Sequence, residues 1–117
     1  MIRGACHCGA VTFEIKEAPE FLVECNCSIC RRLAAWWVHS PPNETVVLNA
    51  PEGTTEPYEW GDKSLSFHRC KTCGCATHWK SLFDSRFAVN CRLAYPADIK
   101  GIRVRHFDGG GRWEWLD

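Results

Sequence analysis

The sequence predicts a mainly β fold in which most strands are antiparallel, with one or two short helical turns. Apolar and polar residues alternate in many short segments, as they do in strands with one buried face. Glycine, proline, asparagine and aspartate lie between these segments, where they favour tight turns. A length of 117 residues fits one domain, and no stretch has the composition of a long linker, so residues 1–117 are predicted to form a single domain.

The predicted strands are short and are separated by turn residues. Residues 11–15 alternate apolar and polar, and Pro19 separates them from the next extended segment. The complete set of predicted strands covers residues 11–15, 21–24, 36–39, 46–49, 56–60, 65–69, 76–79, 87–91, 103–107 and 112–116. The glycine-rich residues 108–111 are predicted to form a hairpin turn.

Two segments are predicted to be helical. Residues 28–35 are the most helix-like, with Ser28 in a suitable position for an N-cap. Residues 96–100 are predicted to add one helical turn.

Charge and hydropathy argue against two classes of partner. Lys and Arg together number 14, as do Asp and Glu, so the formal charge is zero, whereas a general nucleic-acid binder normally has a strongly basic face. No run of about 18 apolar residues could cross a bilayer, and the amino end lacks the apolar stretch of a signal peptide. We therefore expect a soluble, cytoplasmic protein with neither a nucleic-acid nor a membrane partner.

The chain contains nine cysteines, and their spacing favours metal over disulfides. An odd number is unusual for a disulfide scaffold, and here the cysteines occur in short Cys-x-Cys and Cys-x-x-Cys groups. Cys70 and Cys73, followed by Gly74, have the form of a zinc knuckle, which supplies two thiolates to one ion. Cys6 and Cys8 are the natural complement, so these four thiols predict a closed structural zinc site.

A second group, Cys25, Cys27 and Cys30, places three thiolates within six residues. Three protein ligands with one exchangeable position are what a catalytic zinc requires. The alternative is a second closed site, with Cys75, Cys91 or a histidine as the fourth ligand. Two zinc sites are therefore predicted, and the second is predicted to be open.

Loading both sites would change the charge of the protein. Four thiolates on one Zn²⁺ and three on another bring the formal zero to about −3. Arg31, Arg32, Arg69 and Arg92 lie near the cysteines in the sequence. They could offset this charge or bind an anionic substrate.

Three segments of the chain resemble a known family. Residues 4–11 (GACHCGAV), 25–31 (CNCSICR) and 67–74 (FHRCKTCG) are similar to the motifs of the glutathione-dependent formaldehyde-activating enzymes, also known as the centromere protein V-like domain family. The resemblance spans nearly the whole chain. It implies an Mss4-like fold, a twisted and mostly antiparallel β assembly around zinc.

The resemblance also implies residue roles and an activity. Cys6, Cys8, Cys70 and Cys73 correspond to the structural zinc site, and the site of Cys25, Cys27 and Cys30 corresponds to the catalytic one. The family's chemistry is the addition of the glutathione thiol to formaldehyde, giving S-hydroxymethylglutathione, with classification as a carbon–sulfur lyase for the reverse direction. A small-molecule thiol or thiol adduct, such as a glutathione conjugate, is therefore the implied partner.

Tryptophans are abundant, and their predicted places differ. Trp36 and Trp37 follow the second cysteine group, where they could line an apolar pocket and exclude glutathione. The other four are predicted to pack in the core or on sheet faces, with the alternating pair Trp113 and Trp115 closing an edge. This set of four consists of Trp60, Trp79, Trp113 and Trp115.

Several polar groups have a structural and a functional interpretation. His68 and His78 are predicted to be structural, with proton transfer near the metal as the alternative. Cys75 and Cys91 are predicted to be buried and inert, with a redox or ligand role as the alternative.

Two classes of function stay open on the sequence, with a third that only the cysteine count supports. The favoured one is a zinc-dependent carbon–sulfur lyase or thiol-adduct-forming enzyme. The second is a non-catalytic, zinc-stabilised protein-binding module with both metal sites structural, and the third is metal storage or sensing. An open coordination position at Cys25, Cys27 and Cys30 would distinguish the enzyme from the binding module.

Overall fold

The computed structural model describes residues 1–117 and contains ten strands in two sheets, which confirms the mainly β prediction. Three short helical elements accompany the strands: α1 (Ser28–Leu33), a 3-10 turn (Cys91–Leu93) and α2 (Pro96–Ile99). The strands are β1 (Ile2–Ala5), β2 (Thr12–Ile15), β3 (Phe21–Cys25), β4 (Trp37–Ser40), β5 (Val46–Asn49), β6 (Thr55–Tyr58), β7 (Leu65–Cys70), β8 (Ala76–Ser81), β9 (Phe87–Asn90) and β10 (Arg103–Phe107). Neither α1 nor α2 has the length and apolar character that crossing a membrane requires.

The smaller sheet has the order β1-β2-β5, and both of its strand pairs are antiparallel. The alternation in β2 sets its orientation, since Phe13 and Ile15 are buried and Glu14 between them is exposed. Phe13 and Ile15 join Ile2 of β1 and Val89 of β9 in one apolar cluster. The main core is therefore shared between the two sheets.

The larger sheet has the order β10-β3-β4-β9-β8-β7-β6. Its neighbours are antiparallel except for β10 and β3, which run parallel. A parallel pair needs a crossover connection, which the 3-10 turn and α2 provide before β10. Phe107 at the end of β10 lies opposite Cys25 at the end of β3, so the last residues of the chain start beside Cys25.

The sequence does not predict β1, because Gly4 interrupts its short apolar pattern. Gly4 permits a close approach in the core. A Cβ there would collide with the ring of Phe13 and would lie 3.0 Å from the carbonyl oxygen of Leu93. Gly4, which prevents the prediction of β1 from the sequence, is therefore needed for β1 to pack against Phe13.

The predicted strand at residues 112–116 is wrong. The backbone N–H of Trp113 donates to the carbonyl oxygen of Asp108 over 2.8 Å, and Trp113 has a φ of 58°. The Asp108 carboxylate accepts from the backbone N–H of Arg112 over 2.9 Å. These bonds fold the segment into a turn, and only one bridge, between Phe107 and Trp115, connects it to β10.

Helix α1 confirms the predicted helix but differs at both ends. Ala34 adopts a left-handed φ of 53° and ends the helix before residue 35. The N-cap is Cys27 rather than Ser28, because the Cys27 sulfur accepts the backbone N–H of Cys30 at 3.4 Å. The helix start thus brings two cysteines of one group together.

Two buried histidines stack on each other between β7 and β8. His68 and His78 are cross-strand partners, with ring centroids 4.5 Å apart and planes tilted by 11°. The nitrogens of His68 lie 2.9 Å from the Thr55 hydroxyl and 3.0 Å from that of Ser66. Nδ1 of His78 lies 2.8 Å from the Thr77 hydroxyl. Both rings are held inside the sheet by hydroxyl groups.

We expect acid to destabilise the fold through His78. Burial, with a further contribution from His68, lowers the pKa of His78 to about 3. An unfolded histidine binds a proton near pH 6.5, so the free energy of unfolding falls as the pH drops below that value, by about 2 kcal/mol between pH 7 and pH 5. Urea unfolding of the zinc-loaded protein should show this loss in the wild type and a smaller one in His78→Phe.

His106→Gln is the control for this prediction, because its shift has the opposite sign. The hydrogen bond to Asp117 raises the pKa of His106, so its stabilising contribution is present at low pH and is lost as the pH rises through that pKa. This variant should lose more stability on acidification than the wild type does. Parallel pH dependences for the wild type and His78→Phe would contradict the assignment.

Candidate metal centres

Four of the predicted ligand thiols lie together. The sulfurs of Cys6, Cys8, Cys70 and Cys73 are all within 4.8 Å of one another, with 3.5 Å between Cys8 and Cys70. Cys6 and Cys8 follow β1, whereas Cys70 ends β7, so the cluster joins the amino-terminal sheet to the larger one. This cluster could hold a metal ion.

The turn after β7 directs its backbone toward these sulfurs. Gly74 has a φ of +79°, a conformation that favours glycine, and its N–H donates to the Cys70 carbonyl over 2.9 Å. The backbone N–H of Cys75, followed by that of Cys8, lowers the pKa of Cys73 to about 5. Thiolate is the form that binds metal, so the turn prepares Cys73 for this role.

The second cluster lies where β3 meets α1. The sulfurs of Cys25, Cys27 and Cys30 are within 4.8 Å of one another. Backbone N–H groups support two of them, since the N–H of Cys27 donates to Cys25 and that of Cys30 donates to Cys27, each over 3.4 Å. Cys30 is buried, and the other two are half-buried.

Two thiols of this cluster, Cys25 and Cys30, differ in acidity. A hydrogen bond with Cys30 lowers the pKa of Cys25 to about 6, despite partial burial. The same contact, together with burial, raises the pKa of Cys30 well above its usual range. The cluster therefore carries a thiolate at neutral pH.

The surroundings of the second cluster fit a thiolate-bound metal. Zinc accepts three or four thiolates in tetrahedral sites, which matches the donor sets of both clusters. A Cβ on Gly109 would lie 2.5 Å from the Cys25 sulfur, so glycine leaves that sulfur its space. The indole N–H of Trp37, which also lines the cleft, is buried and has no hydrogen-bond partner.

We expect Gly109→Ala to weaken metal binding at the second cluster. The added methyl would push against the Cys25 sulfur, and disturbing the surroundings of a ligand typically costs about 10-fold to 100-fold in metal affinity. Competition with a chromophoric chelator measures this loss. Gly111→Ala is the matched control, because its methyl would press on the Asp108 carboxylate instead. Equal zinc affinities in the two variants would contradict the role of Gly109.

No fourth ligand of the predicted alternative joins Cys25, Cys27 and Cys30. Cys75 is half-buried rather than buried as predicted, and it packs beside the first cluster, against Cys6 and Cys70. Cys91 is fully buried in the main core, where burial raises its pKa to about 12. The group at the second cluster contains no histidine.

A cleft of about 760 Å³ opens beside the second cluster. All three cysteines of that cluster line it, together with His39 and two charged residues, Asp62 and Arg86. The rest of its wall is mainly apolar and includes Val23, Ile29, Trp37, Trp60, Leu65, Phe67, Trp79, Phe107, Trp113 and Trp115. The cleft has the size and character of a site for a small molecule.

The tryptophan predictions need correction. Trp79 is 7% exposed and is in the core as predicted, but Trp60, Trp113 and Trp115 are 43%, 72% and 40% exposed and line the cleft. Trp37 lines the cleft as predicted. Trp36 does not.

The Trp36 ring lies under the Arg92 guanidinium at 3.7 Å, and its N–H donates to Glu24 over 3.1 Å. Arg92 is thereby occupied by Trp36 and does not line the cleft. None of the four arginines proposed as charge partners lines the cleft. The arginine that does line it is Arg86. The four are Arg31, Arg32, Arg69 and Arg92.

Residues 108–117, here named the C-terminal flap, form one wall of the cleft. The Asn26 side chain donates to the Asp108 carboxylate over 2.8 Å and accepts the N–H of Gly110 over 2.9 Å. The ring of Phe107 contacts both Trp113 and Trp115 at centroid distances of 5.1 Å. Sequence reasoning missed the flap as part of the site, because only the parallel pairing of β10 with β3 brings it there.

A mainly β domain with one four-thiol and one three-thiol cluster defines a class of small proteins able to hold metal through thiolates. The family model described as "Glutathione-dependent formaldehyde-activating enzyme" matches residues 1–95. The chain belongs to this family. Residues 96–117, with α2, β10 and the flap, lie beyond the match.

The fold is also similar to that of a solved structure. The crystal structure of a Rhodobacter sphaeroides protein, a structural genomics target, superposes with a TM-score of 0.65 at 24% sequence identity. The alignment covers 87% of this chain and 98% of that chain. This likeness concerns the fold.

Proposed function

We propose that the chain is a cytoplasmic, zinc-dependent carbon–sulfur lyase that forms or cleaves the adduct of a small thiol with an aldehyde. The observation that carries the proposal is the position of Cys25, Cys27 and Cys30, three thiols at the wall of a cleft able to hold a small molecule. The family description, which names glutathione and formaldehyde, supports S-hydroxymethylglutathione as the first substrate to test.

The two clusters have different roles in this proposal. Cys6, Cys8, Cys70 and Cys73 hold a structural zinc, since four thiolates close the coordination of the ion. Cys25, Cys27 and Cys30 would hold the catalytic zinc through three thiolates, and all three cysteines line the cleft. Zinc bound there supplies Lewis acidity and stabilises a thiolate or a carbonyl oxygen.

The reaction needs no oxidant or reductant. In the forward direction the sulfur lone pair of the thiol forms a bond to the aldehyde carbon, and the π electrons of the carbonyl move to its oxygen. The proton lost by the thiol ends on that oxygen, which gives a hydroxyl group. The reverse reaction breaks the C–S bond and returns the thiol and the aldehyde.

The chain contributes a proton acceptor and a water-excluding wall. Burial, with a further effect of Arg86, lowers the pKa of His39, so its imidazole is neutral at pH 7 and can accept the proton of the thiol. His39 lines the cleft with its ring 5.5 Å from that of Trp79. Apolar side chains around the thiolates exclude water and strengthen electrostatic interactions at the reacting atoms.

The test is the rate of adduct exchange. Glutathione and formaldehyde are mixed with zinc-loaded protein, and exchange between the free thiol and the adduct is followed by NMR magnetisation transfer. We expect an increase in exchange rate that is proportional to protein concentration and absent when both substrates are incubated with Cys27→Ser. No acceleration with this pair or with benzyl mercaptan and formaldehyde would overturn the proposal.

A further inference from the structure

We propose that the cleft selects a neutral, apolar thiol adduct carrying an aromatic ring, rather than glutathione, and that Trp113 of the C-terminal flap determines this preference. The inference rests on the proposed function, because it names the substrate class for the same site. Three properties of the cleft support it: the charge of the lining, the shape of the lining, and the part of the chain that supplies the flap.

Charge argues against glutathione, which carries two carboxylates. The cleft has one cationic residue, Arg86, and its Nε is already bound to both oxygens of Asp84 over 3.1 and 3.0 Å. The other charged residue in the lining is Asp62. Three thiolates with Zn²⁺ add a net charge of about −1. A dianionic peptide would find a single guanidinium for its two carboxylates, and Asp84 already offsets the charge of that guanidinium.

The adjoining space is also acidic. A second cleft of about 710 Å³ shares Val23, Trp37, His39 and Trp115 with the first. Its lining includes the carboxylates Glu17, Glu20 and Glu44 and no lysine or arginine. A substrate that extends past Trp115 therefore meets three carboxylates. The guanidinium of Arg105 lies 4.0 Å from the Trp115 ring centroid and donates to the carbonyl oxygen of Asp117, so one cation faces three anions and the carboxylates of glutathione are disfavoured there as well.

Shape favours a flat apolar group. Trp60 and Trp113 line the cleft with 43% and 72% of their surface exposed, so ring surface is available to a ligand. The Trp113 ring stands edge-on to Phe107, with planes at 85°, which fixes its orientation. Aromatic pairs in such geometry add about 0.5 to 1.5 kcal/mol beyond area burial. An aromatic ring packed against Trp113 gains this contact, whereas glutathione, which has no ring, does not.

The flap supplies cleft residues that lie outside the segment matched by the family model. The family match ends at residue 95, and Trp113 lies beyond it. The thiol clusters are within the match, so chemistry and specificity come from different parts of the chain. The substrate named by the family description can therefore differ from the one this cleft accepts.

Binding of two blocked thiols tests the inference without relying on turnover. Benzyl methyl sulfide and S-methylglutathione both carry an alkylated sulfur that cannot become a thiolate, so their affinities report on the cleft walls. Calorimetric titration into the zinc-loaded full-length chain should give a dissociation constant at least about 10-fold lower for benzyl methyl sulfide. Trp113→Ala should weaken binding of that ligand by about fivefold.

Tyr95→Ala is the matched control, since Tyr95 is an exposed aromatic residue that does not line the cleft. Tighter binding of S-methylglutathione, or equal effects of Trp113→Ala and Tyr95→Ala on benzyl methyl sulfide, would overturn the inference. Trp113→Phe, which keeps a ring, should restore most of the affinity.

A parallel exchange assay separates this inference from the proposed function. Benzyl mercaptan with formaldehyde is compared with glutathione and formaldehyde. Faster exchange of the benzyl adduct supports both proposals, and faster exchange of glutathione contradicts the inference while leaving the lyase function standing. If neither pair is accelerated, the proposed function fails, and the binding constants alone decide the preference of the cleft.

Discussion

Replacing Cys73 by serine should unfold the domain or leave it strongly destabilised. Cys73 is one of four thiols that join the loop after β1 to the end of β7, and the backbone of its own turn keeps it acidic. Zinc binding at a structural site is also folding free energy, on the order of 10 kcal/mol in small zinc-binding peptides. A domain of this size typically has only about 5 to 15 kcal/mol of total stability, so losing one ligand threatens the fold.

Cys75→Ser is the matched control for Cys73→Ser. Cys75 lies two residues further along the same turn but is outside the group of sulfurs within ligand distance. Circular dichroism and urea unfolding should therefore show a cooperative transition for Cys75→Ser and a lost or much weakened one for Cys73→Ser. Equal stability of the two variants would show that the first cluster does not hold a structural metal.

Replacing Cys27 by serine should remove activity and leave the fold intact. Cys27 is the N-cap of α1, and serine is a preferred N-cap residue, so the helix start keeps its acceptor. The second cluster would lose one of three thiolates and bind zinc more weakly. Because bound zinc contributes several kcal/mol of transition-state stabilisation, we expect the exchange rate to fall by about 100-fold or more.

Zinc content and unfolding measured on the same sample check this expectation. Cys27→Ser should contain about half the zinc of the wild type and retain its urea midpoint within the range of a surface substitution. Unfolding of Cys27→Ser to the same extent as Cys73→Ser would instead favour two structural sites. It would also support the view of the chain as a zinc-stabilised binding module.

The cysteine groups were predictable because ligand spacing is a local property. Cys25, Cys27 and Cys30 are close in the sequence, and the turn at Cys70 and Cys73 has a recognisable form. Pairing that turn with Cys6 and Cys8 required only that the remaining close pair complete a tetrahedral set. In the structure the four sulfurs of the first cluster lie within 4.8 Å of one another, and so do the three sulfurs of the second cluster.

Apart from Trp37, the walls of the cleft were not predictable, because they depend on long-range pairing. Trp113 follows a glycine-rich turn that reads as an ordinary hairpin, and its alternation with Trp115 suggested a strand. The parallel registration of Phe107 with Cys25 places both rings beside the second cluster. The role of Gly109 was likewise not predictable, because only the folded chain places it next to the Cys25 sulfur.

The most direct test of the two-centre account is a chelation experiment on protein purified without chelator or added thiol. Zinc per chain is counted, and a mild chelator is then added while circular dichroism follows the fold. We predict two zinc ions, of which one leaves readily while the fold survives and the second leaves only with unfolding. Two ions that both resist removal until the protein unfolds would contradict an open site at Cys25, Cys27 and Cys30.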